Sequence, residues 1–417
     1  MDEMTHFPKL RFPEFSGDWE EKKFIDISEK IKDGTHFSPN TFDESDFLYI
    51  TAKNVKNGHI DLTNISYVTK EEHKEIYKRC DVKFGDLLLT KDGTIGQACV
   101  NSLSEEFSLL SSVAFIRLNS FNSNNFLYQL IVSPIGQKEI NKSIAGQALK
   151  RITLTKIKNF KSFFPFLLEQ KKISNFLTSL DTKIEILSKK QELLSEYKKG
   201  LMQKIFSQEL RFKADDGSDY PDWEEKSLGD IGEFKTSSVD KKIIEGQKLI
   251  RLVNYMNVYK HENIDSSATE KLMTVSANET QLNSSNLNRG DILFTPSSET
   301  PDDIGHSVVI FEDLVDTLYS YHLIRFRPKA KLDILYSHYF CNISDVLRQI
   351  SRVATGSTRF TVSLSEFSKI QVNLPSLPEQ TKIANFLSPI DSKIEQIAKQ
   401  LYETKQFKKA LLQQMFV

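Results

Sequence analysis

Residues 165–185 read PFLLEQKKISNFLTSLDTKIE, and residues 375–395 read PSLPEQTKIANFLSPIDSKIE. Thirteen of these 21 aligned positions are identical, at a constant offset of 210 in a chain of 417 residues. The match runs on downstream, where Tyr197-Lys198-Lys199 faces Phe407-Lys408-Lys409 and Leu201-Met202-Gln203 faces Leu411-Leu412-Gln413. Upstream, Gly146 faces Gly356 and Leu154 faces Leu364. Farther back the offset slides: FGDLLLT at Phe84 answers RGDILFT at Arg289, DWEEK at Asp18 answers DWEEK at Asp222, and LYITAKNV at Leu48 roughly answers IRLVNYM at Ile250. The order of parts is variable, constant, variable, constant. A repeat of this kind governs the whole fold. One part of each copy is kept and the other differs, so the constant parts share one job and the variable parts do two.

In the constant block the apolar residues fall at helical spacing. Of positions 173, 177, 180, 184, 187, 191, 194, 198, 201 and 205, eight of ten are apolar, with Gln191 and Lys198 the exceptions. The second copy also scores eight of ten, failing at Thr404 and Lys408. A 3.5-residue repeat over about five heptads is a coiled-coil seam. Two copies in one register point to pairing with each other, against the plainer reading of one face of a globular bundle. Pro389 cannot continue a helix without a kink, so a break is expected near Ser388 to Asp391. About 25 residues of helix then give a rod of roughly 40 Å.

The variable blocks read as α+β. Short β-rich runs (FLYITA, GDLLLT and SVAFIRL; KLIRLV, GDILFT, SVVIF and YHLIRF) precede a helical stretch, FLYQLIVSPIGQKEI or ILYSHYFCNISDVLRQI. Between the strands lie polar loops: KDGTHFSPN at Lys32, AKNVKNG at Ala52, TKDGTIGQ at Thr90 and TPSSETPDDIG at Thr295. Such side chains donate to phosphates and base edges, although polar, glycine-bearing loops are common for purely local reasons. From Lys142 to Lys161 there are six basic residues (Lys142, Lys150, Arg151, Lys156, Lys158 and Lys161) and no acidic one, a run that suits either a solvated face or an edge tracking phosphates. The second copy is weaker, with Arg348, Arg352, Arg359 and Lys369 against Asp345 and Glu366.

Bulk properties exclude several classes. The composition, 39% hydrophobic and 27% charged, is that of a soluble globular protein. The net charge of −1 counts mildly against a free-standing nucleic-acid binder. No run of 18 apolar residues and no signal-peptide pattern occurs, so neither secretion nor a membrane span is expected. Cys80, Cys99 and Cys341 are scattered and odd in number, which fits reduced thiols in the cytoplasm. There is no P-loop, no G-x-G-x-x-G, no zinc-ligand spacing and no Asn/Asp-Pro-Pro-aromatic stretch. Glu196 and Lys198 make a nuclease-like E-x-K spacing but belong to the helix surface, and His36 and His306 read as ordinary polar loop residues. The sequence carries no catalytic centre of its own.

The paired P-x-L-x-E-Q-x-K-I-x-x-F-L-x-x-[LI]-D-x-K-I-E blocks, each followed by K-K-x-[LI]-[ML]-Q, resemble the conserved regions of type I restriction-modification specificity subunits. The G-D-[LI]-L-x-T stretch and the glycine ahead of Leu154 and Leu364 strengthen the resemblance, which covers the whole chain in order. The chain departs from the pattern at Leu168, where the second copy has Pro378, and in GQALKR, whose basic tail is longer than that of GSTRF.

The resemblance implies an α+β protein with a pseudo-twofold internal repeat. Two globular target recognition domains, 1–165 and 213–375, would be joined by two long antiparallel coiled-coil helices in the conserved regions 166–212 and 376–417. Each domain would read one half of a bipartite site in double-stranded DNA, and helix length would set the unread gap. Two methyltransferase (modification) subunits would dock on the helices, and restriction subunits acting as translocases would join them. S-adenosylmethionine, ATP and Mg2+ would sit on those partners, with no cofactor on this chain and no membrane contact. Helix pairing and docking would fall to Glu169, Gln170, Ile173, Leu177, Asp181 and Ile184, and to Glu379, Gln380, Ile383, Leu387, Asp391 and Ile394. The loops place DNA contacts at Lys32, Thr35, His36, Lys53, Asn54, Lys91, Thr94, Lys150 and Arg151 in the first domain. In the second they fall at Lys235, Thr236, Arg251, Asn254, Thr295, Ser297 and Arg359. The rival from another class is a scaffold whose two interaction domains bind protein or carbohydrate on a coiled-coil spacer.

Overall fold

The two D-W-E-E-K stretches begin the ordered framework of each half. Trp19 is buried against Phe126, with ring centroids 5.9 Å apart, and Trp223 packs on Phe206 at 6.2 Å. The strand Glu20–Lys23 pairs antiparallel with Lys161–Phe164, and Glu224–Ser227 pairs with Gln371–Leu374. Each half is thus closed end to end, because its first strand pairs with the strand that leads into its long helix.

These features come from a computed structural model that describes residues 7–145 and 150–417. Gly146 and the start of the GQALKR loop lie outside the described residues. The chain divides into two compact units, residues 1–190 with 397–417 and residues 191–396.

In the first unit, a four-stranded antiparallel sheet has the order Ser28–Asp33, Val113–Leu118, Leu87–Thr90, Ala98–Val100. A three-stranded sheet places Phe47–Ile50 between antiparallel Ser66–Val68 and parallel Ser108–Leu109. The second unit repeats both. Its four strands run Gly232–Thr236, Ile324–Pro328, Ile292–Phe294, Ser307–Val309, and its three-stranded sheet places Lys248–Val253 between Met273–Ala277 and Thr317–Tyr319. The topology of the variable blocks is therefore duplicated although their sequences diverged. The apolar run LLLT is buried throughout, as expected of a strand covered on both faces.

The helical stretch of the first block divides at Ser133, which caps the end of Asn124–Val132 and the start of Pro134–Ile144. A residue ahead of proline is pushed out of the helical region, and Ser133 sits at φ −67°, ψ 159°. The second block also divides, into Ile334–Phe340 and Ser344–Val353, but without a proline: Cys341 ends the first helix and Ile343 precedes the second.

Two long helices, Leu167–Phe206 (40 residues) and Leu377–Gln414 (38 residues), carry the repeated sentence. At 1.5 Å per residue each is about 60 Å long, longer than the sequence reading allowed, because the expected break at Pro389 does not occur. Pro389 is exposed. On that face the carbonyl it leaves unpaired can be hydrated, which a helix tolerates better than a buried loss.

Within each unit the helix segments run antiparallel. In the first, Ile173 and Leu177 share a core with Leu411, Leu412, Met415 and Phe416, and Lys408 pairs with Asp181. In the second, Ile205 shares a core with Ile383, Ala384 and Leu387, and Lys198 pairs with Asp391. Lys198 and Lys408, which interrupt the apolar seam, thus each find a carboxylate across it. These two ion pairs are equivalent under the 210-residue offset, as are the helix anchors: Gln129 donates to Asp181 at 2.8 Å and the Tyr339 hydroxyl to Asp391 at 2.7 Å.

The E-Q of P-x-L-x-E-Q is a latch. Glu169 is buried and accepts two bonds of 2.7 Å from the Arg11 guanidinium. Glu379 does the same for Arg211 at 3.3 and 3.0 Å. Gln170 donates to the Pro165 carbonyl at 2.8 Å and accepts from the Ser123 amide at 2.9 Å, so it joins the helix start to the domain. Gln380 repeats this with Pro375 at 2.9 Å and Asp333 at 3.0 Å. Arg11 and Arg211 lie in an L-R-F triplet, at 10–12 and 210–212, that also repeats.

Removing one partner of a buried pair strands a charge and costs about 3–5 kcal/mol. Arg11→Ala is therefore expected to lower the unfolding free energy of the first unit by an amount of that order, read from a shift of its urea midpoint to lower concentration, while Arg11→Met combined with Glu169→Met recovers most of it. Denaturant unfolding of the three proteins checks this.

Candidate nucleic-acid interface

The loops chosen from sequence meet at one end of each four-stranded sheet, and the G-D-[LI]-L-x-T motif explains how. Gly85 and Gly290 turn the chain at φ +86° and +92°, a region open to glycine. The next residue, Asp86 or Asp291, is buried and grips an arginine on the adjacent strand: Asp86 accepts from Arg117 at 3.0 and 2.7 Å, and Asp291 from Arg327 at 2.7 and 2.7 Å. These bonds raise the pKa of both guanidinium groups. The motif is structural and fixes the strand whose far end carries the site.

Past Thr90 and Thr295 the chain makes a hairpin: the Thr90 amide donates to Gln97, and the Thr295 amide to His306. On one side each hairpin is stapled by the segment leading to the long helix, through Ile152 to Lys91 and Val362 to Pro296. On the other side the Thr94 hydroxyl donates to the Ala52 carbonyl at 3.1 Å, and the Tyr255 hydroxyl to the Ser297 carbonyl at 2.9 Å. Loops from distant stretches of sequence are thereby gathered on one face.

In the first unit a buried carboxylate, Asp33, organises that face. Lys91 Nζ lies 3.2 Å from it, His36 Nε2 3.3 Å and Arg79 Nη2 3.7 Å. Lys91 is buried and its charge is met by Asp33, so it is a support and not the exposed contact expected. Arg79, which sequence reasoning missed, keeps its guanidinium half exposed. Lys32, His36, Lys53, Thr94, Lys150 and Arg151 are exposed, with Arg151 3.3 Å from Asp92.

Two expected contacts are turned inward. Thr35 is buried, with its amide donating to Leu109 and its hydroxyl accepting from the Phe37 amide. Asn54 is also buried. It accepts from the Thr51 amide and hydroxyl at 3.1 and 3.0 Å and donates to Asp61 at 3.2 Å, so its amide builds its own loop and has no free edge for a base.

In the second unit Lys235, Thr236 and Arg359 are exposed. Arg251 is half-buried and bonded to the Thr274 hydroxyl at 2.8 Å, and Asn254 is half-buried at the start of the short helix Tyr255–Tyr259. Thr295 is fully buried and Ser297 nearly so, which removes Thr295 from the face. An open groove lies between Tyr255, Tyr259, Ser297, Glu299, Asp303 and Arg359. Along its edge Tyr259 donates to Asp303 at 2.9 Å, Asp303 meets His306 at 2.9 Å, and His306 meets His261 at 3.1 Å. Burial lowers the His261 pKa. The i, i+4 pair Tyr255 and Tyr259 just past a β-rich run was the available signal for this groove. Asp33 offered none, since an aspartate ahead of a glycine looks like any turn residue.

The helix residues expected to dock partners lie mostly inside. Ile173, Leu177, Ile383 and Leu387 are buried, as are the latch residues Glu169, Gln170, Glu379 and Gln380. Asp181, Ile184, Asp391 and Ile394 are half-buried. These side chains hold each unit to its helix pair. Among the described residues no cluster of three His, Cys, Asp or Glu could hold a metal, and no helix is long and apolar enough to cross a membrane.

Comparison with known families settles what such a duplicated frame belongs to. A model of the type I restriction modification DNA specificity domain matches residues 16–196 and again 220–405. The chain belongs to that family. Specificity subunits of this family recognise DNA and are not catalytic. A Methanocaldococcus jannaschii protein provisionally named the specificity subunit of type I restriction enzyme MjaX is 26% identical over 426 residues, covering 98% of this chain and 95% of its own. The MjaVIII specificity subunit of the same organism is 26% identical over 423 residues, covering 97% and 92%. The S subunit of a type I restriction-modification system from M. genitalium shares the fold, with a TM-score of 0.64 at 16% identity and 99% coverage of each chain.

Because Asn54 serves its own loop, Asn54→Ala is expected to destabilise the first unit by about 1–3 kcal/mol through the unmade bonds. DNA binding should then weaken without relaxation at any single base position. Denaturant unfolding beside binding to a panel of singly substituted duplexes measures both.

Proposed function

We propose that this chain is the DNA sequence-specificity subunit of a type I restriction-modification complex, in which each recognition domain reads one half of a bipartite target. The observation that carries this reading is the duplication itself: two loop faces of the same topology and different chemistry, each latched to its own stretch of antiparallel helix pair. The recognition domains are residues 1–165 and 213–375. The helical regions 166–212 and 376–417 set the distance between half-sites and offer their outward faces to two methyltransferase subunits. Those subunits bring S-adenosylmethionine, and restriction subunits that join them bring ATP and Mg2+, all in the cytoplasm. Exposed Lys32, Lys53 and Lys150 in the first domain and Lys235 in the second supply phosphate contacts, with Thr94 and Thr236 beside them. Near-neutral charge suits a chain that shares the enclosure of DNA with partners.

Methylome sequencing of a host carrying this gene with its neighbouring methyltransferase gene, compared with deletion of this gene alone, tests the role. One bipartite methylated motif is expected to vanish on deletion, and an unchanged methylome under confirmed expression overturns the reading. The spacing role has its own test. Inserting one heptad at Lys190 and another at the matching Gln400 lengthens the pair by about 10 Å, so the gap between half-sites should grow by about three base pairs.

A further inference from the structure

Arg359 differs from every other exposed cation on the two loop faces in how it is held. It precedes the short strand Phe360–Thr361, which pairs with Ser297–Ser298. Its Nη2 donates to Ser297 Oγ at 2.9 Å and its Nε approaches the same oxygen at 3.3 Å. Ser297 is buried, and its carbonyl accepts the Tyr255 hydroxyl, so the hydroxyl that holds Arg359 is itself fixed. A guanidinium anchored through Nε and one hydrogen of Nη2 has its plane set. Its outer edge, the remaining Nη2 hydrogen and the two of Nη1, stays unused among the described residues.

The first unit shows what the alternative looks like. There the staple is the Asp92–Arg151 bridge, in which Asp92 stands where Ser297 does and Arg151 where Thr361 does, and the Asp92 carboxylate lies 3.3 Å from Arg151. In the second unit a neutral hydroxyl replaces that carboxylate, and among the described residues no ion pair neutralises Arg359. Its groove also contains Glu299, exposed and without an ion-pair partner among the described residues, and Asp303, already engaged by Tyr259 and His306.

An oriented pair of N–H donors beside an available carboxylate matches the major-groove edge of one base pair. Guanine presents two acceptors there, O6 and N7, and its cytosine partner presents an N4 amine donor. Resting on the specificity-subunit reading, we propose that the groove of the second unit is the binding site for a G·C base pair, with Arg359 donating end-on to guanine, Glu299 accepting from cytosine, and Ser297 acting as the positioning residue. A fixed guanidinium fork also suits a phosphate, but the Glu299 carboxylate in the same groove repels a phosphate and can accept from a cytosine amine, so the pair of groups fits a base edge better.

The test uses the full chain assembled with its methyltransferase and the duplex that the methylome defines. Each base pair of the half-sites is changed in turn, and binding is followed by fluorescence anisotropy at several salt concentrations. The wild-type complex is expected to lose roughly tenfold to a hundredfold in affinity when one particular G·C pair is replaced. Arg359→Lys, which keeps the charge and loses the planar fork, and Ser297→Ala should both flatten the preference at that position and leave the others intact. Glu299→Gln should weaken discrimination at the same pair. A uniform loss across all duplexes, with the salt slope of Arg359→Ala reduced by about one, marks a phosphate contact and overturns the proposal. So does an unchanged preference in Arg359→Lys. If the wild-type complex recognises no bipartite sequence, the functional reading falls. If it does and Arg359→Lys retains every preference, only the base-pair assignment falls.

Discussion

Everything else in each half hangs from a carboxylate buried at the start of a long helix. Glu169 and Glu379 are closed off from water and answered by Arg11 and Arg211. A neighbouring glutamine spends both ends of its amide on the domain it adjoins. Desolvating such groups is costly, and the cost is recovered only when all partners are in place. The latch therefore tolerates little variation, and it ties the segment ahead of each domain's first strand and the carbonyl after its last strand to the start of the helix. Loops built on that frame can change without moving the helix.

This separation explains why the most repeated residues are not the ones facing a ligand. The aspartate of G-D-[LI]-L-x-T clamps an arginine inside the sheet, and the lysines that break the helix seam meet aspartates across it. Repetition marks the places where two halves must solve one packing problem. The hairpins after Thr90 and Thr295 share their backbone staples and little else. Beside one, a buried lysine, a histidine and an arginine surround Asp33, while the other presents tyrosines, a carboxylate and an arginine held by a serine. Two faces with the same construction and different chemistry are what reading two different half-sites requires.

The sequence by itself determined the duplication, the helix pair and the α+β character of the blocks between. A 210-residue offset and a 3.5-residue period are linear patterns, and apolar seams must be buried somewhere. It also marked loops that the fold gathers on one face. It could not say which loop residues point outward. Lys91, Asn54, Thr35 and Thr295 have the composition of contacts and the burial of supports, because a polar side chain in a loop can serve its own backbone as readily as a ligand. It overrated Pro389 as a break, since the cost of a helical proline depends on whether the lost bond faces water. Arg11, Arg79 and Asp33 were invisible because, His36 apart, their partners lie far along the chain, and only the folded structure brings opposite charges into a common shell of low dielectric where pairing decides the geometry.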